Sequence, residues 1–243
     1  MTKNNAIRSR AGVWDDPDLH AKLMPDYEIG CKRALISNDY YPALLRPNVE
    51  LVTDPIAEVR PHSVLTESGD EFECDAIIHG TGFSTHDFLA PMRVFGRNGQ
   101  ELNEAWAEGA NAYLGMTVHG FPNMFILYGP NTNLGGNSII YMLESQIRHV
   151  LAGVSAVEGS GARAIEVSAD AQSRMDATVQ TALSRTVWNS GCTSWYVDET
   201  GRNTNNWPFT TLYYRRLTSQ VDMHDYALGS SDHRFAPEPV ATR

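Results

Sequence analysis

Residues 123–146 read NMFILYGPNTNLGGNSIIYMLESQ. The apolar run Asn123 to Tyr128 lacks alternation and stops at Gly129-Pro130, which is how a fully buried strand ends in a turn. A loop of small residues, Asn131 to Ser138, follows it. Ile139, Leu143, Ile147, Val150 and Val154 then recur at three- and four-residue steps and predict a helix over about Ser138–Val157, capped by Asn137 or Ser138. Strand, glycine loop and helix in that order point to an α/β fold. Backbone N–H groups at the helix start, together with the positive end of its dipole, form a seat for an anion such as the N1 and O2 edge of a reduced flavin. An ordinary capped strand-to-helix loop has the same sequence.

Working outward, Asp75 to His79 (DAIIH) is a second apolar run, closed by Gly80-Thr81-Gly82. Its glycines fall short of GxGxxG, because Thr85 holds the third glycine position and Pro91 follows where a helix should open. On spacing alone a tight turn ending a core strand is the better reading. Ser63–Thr66 and Glu71–Cys74 flank ESGD and predict a hairpin, and Val49–Val52 is a short strand. Downstream, Ala164–Val167 reads as a strand. Ala169–Leu183 reads as a helix with Ser168 as N-cap and Met175, Val179 and Leu183 on one face. Residues 187–214 are rich in aromatic and turn residues without periodicity, and Trp195, Tyr196, Trp207 and Phe209 there suit either the wall of an apolar pocket or loop packing. The first fifteen or so residues read as a polar arm, and the residues from Gly229 onward as a tail.

The 243 residues carry 19 Lys and Arg against 29 Asp and Glu, a formal charge of −10. Such a surface repels phosphate backbones, so nucleic acid is not an expected partner. No run of about 18 apolar residues and no secretory apolar segment is present, so the chain reads as cytoplasmic without a membrane span. Cys31, Cys74 and Cys192 are odd in number and widely spaced, which predicts reduced thiols. The eight histidines show no metal-ligand spacing, so no metal is expected. Lys32-Arg33 are adjacent cations after Gly30-Cys31. Such pairs are usually solvated, but in an acidic chain a fixed guanidinium can stabilise an oxyanion at any working pH.

The ordered segments PDYEIGCKR, NDYYPAL, RPNVELV, CDAIIHGTGF, FPNMFILYGPNTNLGGNSIIYMLESQ and SWY resemble the C-terminal half of the flavin-containing Baeyer–Villiger monooxygenases and their flavin monooxygenase relatives, over roughly residues 20–228. The resemblance implies FAD and NADP as cofactors and a C4a-peroxyflavin that inserts one oxygen atom of O2 into a small apolar ketone. It implies that Arg33 is the active-site arginine, that Lys32 meets the NADP phosphate and that Trp195 lies near NADP. Asn131, Leu134, Asn137 and Ser138 would line the flavin, and Gly80, Thr81, Gly82 and Phe83 would close on FAD. The implied fold is a partial doubly wound FAD/NAD(P)-binding fold, with a β hairpin and a helical C-terminal part. Within it, 1–19 is an arm, 20–48 the end of the NADP-binding domain, 49–228 the C-terminal part of the FAD-binding domain and 229–243 a tail. The family's two GxGxxG fingerprints, and the glycine, histidine and tryptophan signature between them, are not found. The expectation is therefore a sheet edge and an exposed apolar face where a missing N-terminal half would pack. The alternatives are a catalytically incompetent remnant, a subunit needing a separate N-terminal chain, or an N- or S-oxygenating relative.

Overall fold

Gly69 lets the first sheet close, because its φ of 95° turns the chain between two strands where a side chain would be strained. The computed structural model describes residues 16–191 and 194–229, so the predicted arm and tail lie almost wholly outside the described residues. The chain divides into two compact units, one of Met1–Ile29 with Ala34–Phe83 and one of Gly30–Arg33 with Ser84–Arg243.

In the first unit, α1 (Pro17–Leu23) starts with a proline at its first turn, and the Asp16 carboxylate accepts from the N–H groups of Asp18 and Leu19. A short α2 (Tyr40–Leu44) follows. β1 (Ile56–Val59), β2 (Ser63–Thr66) and β3 (Glu71–Glu73) form an antiparallel sheet in sequence order, with Ser63 opposite Glu73 and Leu65 opposite Glu71. The expected hairpin is present. The strand expected at Val49–Val52 is not: the Val49 N–H turns back onto the Arg46 carbonyl, and pairing begins only at Ile56. Asp75–His79 is likewise neither strand nor buried, and Ile78 is 96% exposed. An apolar strand needs neighbours to take up its N–H and C=O groups. No strand among the described residues flanks this run.

In the second unit, α3 (Leu102–Ala105) precedes a long α4 (Ile139–Ser160), β4 (Ala164–Val167), α5 (Ala169–Leu183), α6 (Thr211–Leu217) and β5 (Tyr226–Gly229). Ser138 caps α4 through the Tyr141 N–H, Ser168 caps α5 through the Ala171 N–H, and Gly161 closes α4 with a φ of 69°. β4 and β5 pair antiparallel, Ala164 opposite Gly229 and Val167 opposite Tyr226. Three apolar clusters fill this unit, centred on Met116 and Val167, on Leu102 and Phe121, and on Met142, Leu183 and Tyr214. The protein is thus α/β with small antiparallel sheets.

Asn123–Tyr128 is not a strand. Asn123 and Tyr128, at its two ends, have φ of 60° and 59°, left-handed conformations that no strand contains. The face of α4 also differs from its periodicity. Its buried residues are Met142, Ser145, Gln146, His149 and Gly153, while Ile140, Ile147, Leu151 and Val154 are exposed. Gln146 and His149 are buried because both find partners: Gln146 Nε2 donates to the Tyr214 hydroxyl at 2.9 Å, and His149 meets the Thr218 carbonyl and the Tyr226 hydroxyl at 3.3 and 3.0 Å. α4 therefore carries exposed apolar residues along one side, Ile140, Ile147, Leu151 and Val154. α6 begins inside the 187–214 stretch read as aperiodic, no element was expected at β5, and Gly229, assigned above to the tail, is paired in β5. Cys31 is disulfide-bonded and Cys74 is free, which corrects the expectation of three reduced thiols; cysteine spacing does not encode pairing.

Candidate functional site

The site grows from the glycine loop that enters α4. Asn131, Thr132 and Leu134 are buried and Gly135 to Ser138 are exposed, so the loop is anchored at its start and bare at its end. The anchor is a parallel bridge between Asn133 and Asn206. Asn131 N–H donates to the Thr204 carbonyl, Asn133 N–H to the Asn205 carbonyl, and Trp207 N–H to the Asn133 carbonyl. The Asn131 amide, with a left-handed backbone at φ 55°, donates to the carbonyls of Asn203 and Asn206 at 2.8 and 3.1 Å. Leu134 places its side chain in the core beside Met142 and turns its carbonyl outward.

Arg33 reaches that carbonyl: its Nη1 donates to Leu134 O at 3.1 Å across 101 positions of sequence. The residue is otherwise exposed, which lets the guanidinium face an anion at the loop. Lys32 beside it is exposed. Tyr128 is half exposed and within electrostatic reach of Arg33. Burial raises the pKa of its phenol, and the Arg33 charge partly offsets that rise.

A short turn at Val187–Asn189 packs against both segments. An atom added at Gly135 would sit 2.7 Å from the Trp188 ring, and one at Gly30 would touch Val187 at 3.4 Å. Trp188 in turn meets Tyr196 edge-on with ring centres 6.1 Å apart, and Trp195 lies 5.9 Å from Tyr196. Trp195 is half exposed, and its carbonyl accepts from the Thr85 hydroxyl and, at 3.4 Å, from the Asn205 amide. His86 Nδ1 bonds Thr204 Oγ1 at 3.0 Å.

Of the residues singled out in the sequence, the second unit holds Arg33, Lys32, Asn131, Leu134, Asn137, Ser138 and Trp195. Arg33 and Leu134 are in direct contact there. Asn137 bonds the Ser138 N–H at 2.8 Å and Thr211 at 3.3 Å. Gly80, Thr81, Gly82 and Phe83 belong to the first unit. They form an exposed stretch outside any helix or strand, with Gly82 at φ 90°, where an added Cβ at either glycine meets nothing within 4 Å. Tyr128, Asn205 and Asn206 adjoin this loop and were not singled out in the sequence, whereas Asn133 falls inside the loop read as an anion seat and Trp188 inside the aromatic stretch. The Asn-Thr-Asn-Asn of residues 203–206, an echo of Asn131-Thr132-Asn133, was the available signal.

Exposed glycine backbone at a helix start, beside a guanidinium, fits the anionic edge of a flavin or a nucleotide phosphate. Among the described residues no group of three or more His, Cys, Asp or Glu could hold a metal ion, and no helix is long and apolar enough to cross a membrane.

No family model matches the chain. A Baeyer–Villiger monooxygenase of Streptomyces coelicolor is 45% identical over 223 residues, 91% of this chain and 43% of that protein. One of Pseudomonas aeruginosa is 45% identical over 230 residues, covering 94% of this chain and 44% of that one. A steroid monooxygenase structure bound to NADP superposes with a TM-score of 0.80 at 29% identity, over 89% of this chain and 42% of that one. The NADP+-bound cyclohexanone monooxygenase of Rhodococcus sp. Phi1 superposes with a TM-score of 0.79 at 30% identity. The chain thus spans less than half the length of the relatives it matches.

Proposed function

The chain is homologous over 91% of its length to Baeyer–Villiger monooxygenases, and on that premise we propose that it forms part of a flavin-dependent monooxygenase that converts a ketone to an ester with O2 and NADPH. The observation that carries this reading is the Arg33 guanidinium held on the Leu134 carbonyl, at the exposed glycine loop entering α4. FAD, when bound, supplies the activation of O2 and NADPH supplies the electrons.

This chain's own residues supply position and charge. Gly135 to Asn137 present backbone donors to the flavin beside Ser138, with Asn131 and Leu134 fixing the loop from beneath. Arg33 stabilises negative charge as it develops on oxygen, which a guanidinium does without releasing a proton. Lys32 meets the NADP phosphate and Trp195 borders the nicotinamide side. Gly80 to Phe83 close on FAD. In this reading residues 20–48 end the NADP-binding domain and 49–228 complete a doubly wound FAD-binding domain. The counterpart of the relatives' remaining length carries the dinucleotide fingerprints and covers Ile140, Ile147, Leu151 and Val154 of α4.

The test is to express the chain together with a segment bearing both GxGxxG fingerprints, and to measure ketone-dependent NADPH oxidation and ester by gas chromatography. The expected result is ester from a cyclic ketone, and a loss of about a hundredfold or more in R33A. Ester at the unsubstituted rate in R33A would remove Arg33 from this role. Oxygenation of amines or sulfides, with none of ketones, would assign the site to the N- or S-oxygenating branch instead.

A further inference from the structure

We propose that Asn133 is a positioning residue which, together with Tyr128, aims the Leu134 carbonyl and through it fixes the guanidinium of Arg33. The proposal rests on the reading of Arg33 as the cation of the flavin site, and extends that reading to residues that touch neither flavin nor substrate.

Every polar group of Asn133 is occupied. Its N–H donates to the Asn205 carbonyl at 2.9 Å and its carbonyl accepts from the Trp207 N–H at 2.8 Å. Its side-chain Nδ2 donates to Asn206 Oδ1 at 2.8 Å, and its Oδ1 accepts from the Tyr128 hydroxyl at 2.9 Å. These four bonds fix the peptide that leads into Leu134, and the Leu134 side chain is seated in the core beside Met142, so the Leu134 carbonyl has little freedom to turn. That carbonyl receives Arg33.

Tyr128 is held at both its backbone and its hydroxyl. Its N–H donates at 3.0 Å to Oε1 of Gln146, which is buried and itself bonded to Tyr214. Its backbone has φ 59°, an outlier for an aromatic residue that persists only where surrounding contacts over-determine it. Strain at Tyr128 and full saturation at Asn133 converge on one carbonyl, the one that orients the exposed cation. A bare arginine side chain would otherwise sample many rotamers, and preorganisation of a charged donor is what makes it effective at a reacting centre.

The test is site-resolved labelling of arginines by phenylglyoxal in the 243-residue chain, read by peptide mass spectrometry without flavin. Its outcome is therefore independent of whether the monooxygenase reading stands. With Arg163, which is remote and exposed, as internal reference, N133A is expected to speed labelling of Arg33 about fivefold, the equivalent of one hydrogen bond. Y128F, which leaves the main-chain bonds of Asn133 intact, is expected to speed it about twofold. N133D should restore slow labelling, because a carboxylate still accepts from Tyr128, and the Asn206 amide, whose Nδ2 has no partner, can flip to donate to it. Unchanged Arg33 labelling in both N133A and Y128F, an equal rise at Arg163, or failure of N133D to restore would overturn the proposal. Should N133A not fold, Y128F alone decides, a rise supporting and no rise overturning.

Discussion

The two units handle the same kind of sequence in opposite ways. In the second unit apolar residues gather into three clusters, and the polar side chains of Gln146 and His149 are buried with partners in place. Of the described residues in the first unit, only Ser63 and Thr66 are buried, and Ile56, Val59, Ile78 and Phe83 are largely exposed. Hydrophobicity decides which residues are able to be buried, while burial itself requires a neighbour of complementary shape. The second unit contains its own neighbours, and the first has a sheet with one sequence of hydrogen bonds and almost no interior.

The sharpest way to break that contrast is to cut one side chain from each unit. Met142 is fully buried, so M142A should lower the unfolding free energy by about 2–5 kcal/mol in a urea melt. I78A should stay within about 0.5 kcal/mol of the original protein. Equal effects would show that the exposed run in the first unit is buried in solution.

A second contrast uses glycines. G135A drives a methyl group against Trp188 at 2.7 Å, whereas G80A meets nothing within 4 Å. The first should cost about 1–3 kcal/mol and the second leave the thermal midpoint in place. Smaller still is the N-cap of α5. S168A removes the hydroxyl that accepts the Ala171 N–H at 3.1 Å, which should cost about 1 kcal/mol by the same melt.

The last contrast is a slope in pH. Burial lowers the pKa of His149 below its ordinary 6.5, with hydrogen bonds to the Thr218 and Gln220 backbone opposing that shift. The unfolded chain therefore binds a proton at a higher pH than the folded one. The stability tied to a neutral His149 is whole above about pH 6.5 and is lost as pH falls through that value toward the folded pKa. Subtracting melts of H149Q from those of the original chain between pH 7.5 and 5 isolates this part, and a flat difference would contradict it.

Local signals carried well where they were complete within a few residues. Ser138 and Ser168 marked their helix starts, Ala164–Val167 and Ala169–Leu183 have the predicted bounds, and Gly69 with Asp70 marked the hairpin turn. What failed depended on partners distant in sequence. Asp75–His79 and Asn123–Tyr128 have the composition of buried strands, but no strand among the described residues pairs with either. The buried face of α4 is set by Tyr214, Thr218 and Tyr226, which a helical wheel does not include. In the site, the nearness of Arg33 to the Asn131 to Ser138 loop was legible only through the family resemblance, since Lys32-Arg33 alone reads as a solvated pair and the loop alone as a capped turn. Asn133 and Tyr128 were not, because their importance comes from saturation and backbone angle, and neither leaves a mark in composition.

Tyr226 closes the second unit from near the end of its described residues. Its hydroxyl bonds His149 Nε2 at 3.0 Å and Thr117 Oγ1 at 3.1 Å, its ring lies edge-on to Tyr113 at 5.6 Å, and its strand pairs with β4. A chain still emerging from the ribosome has made α4 long before it can deliver that tyrosine. Since domains fold as units while synthesis proceeds at about 5–20 residues per second, His149 and Thr117 wait several seconds without their partner. The nascent unit therefore depends on late residues to lock its interior, and chaperones that shield apolar helices have their opportunity in that interval.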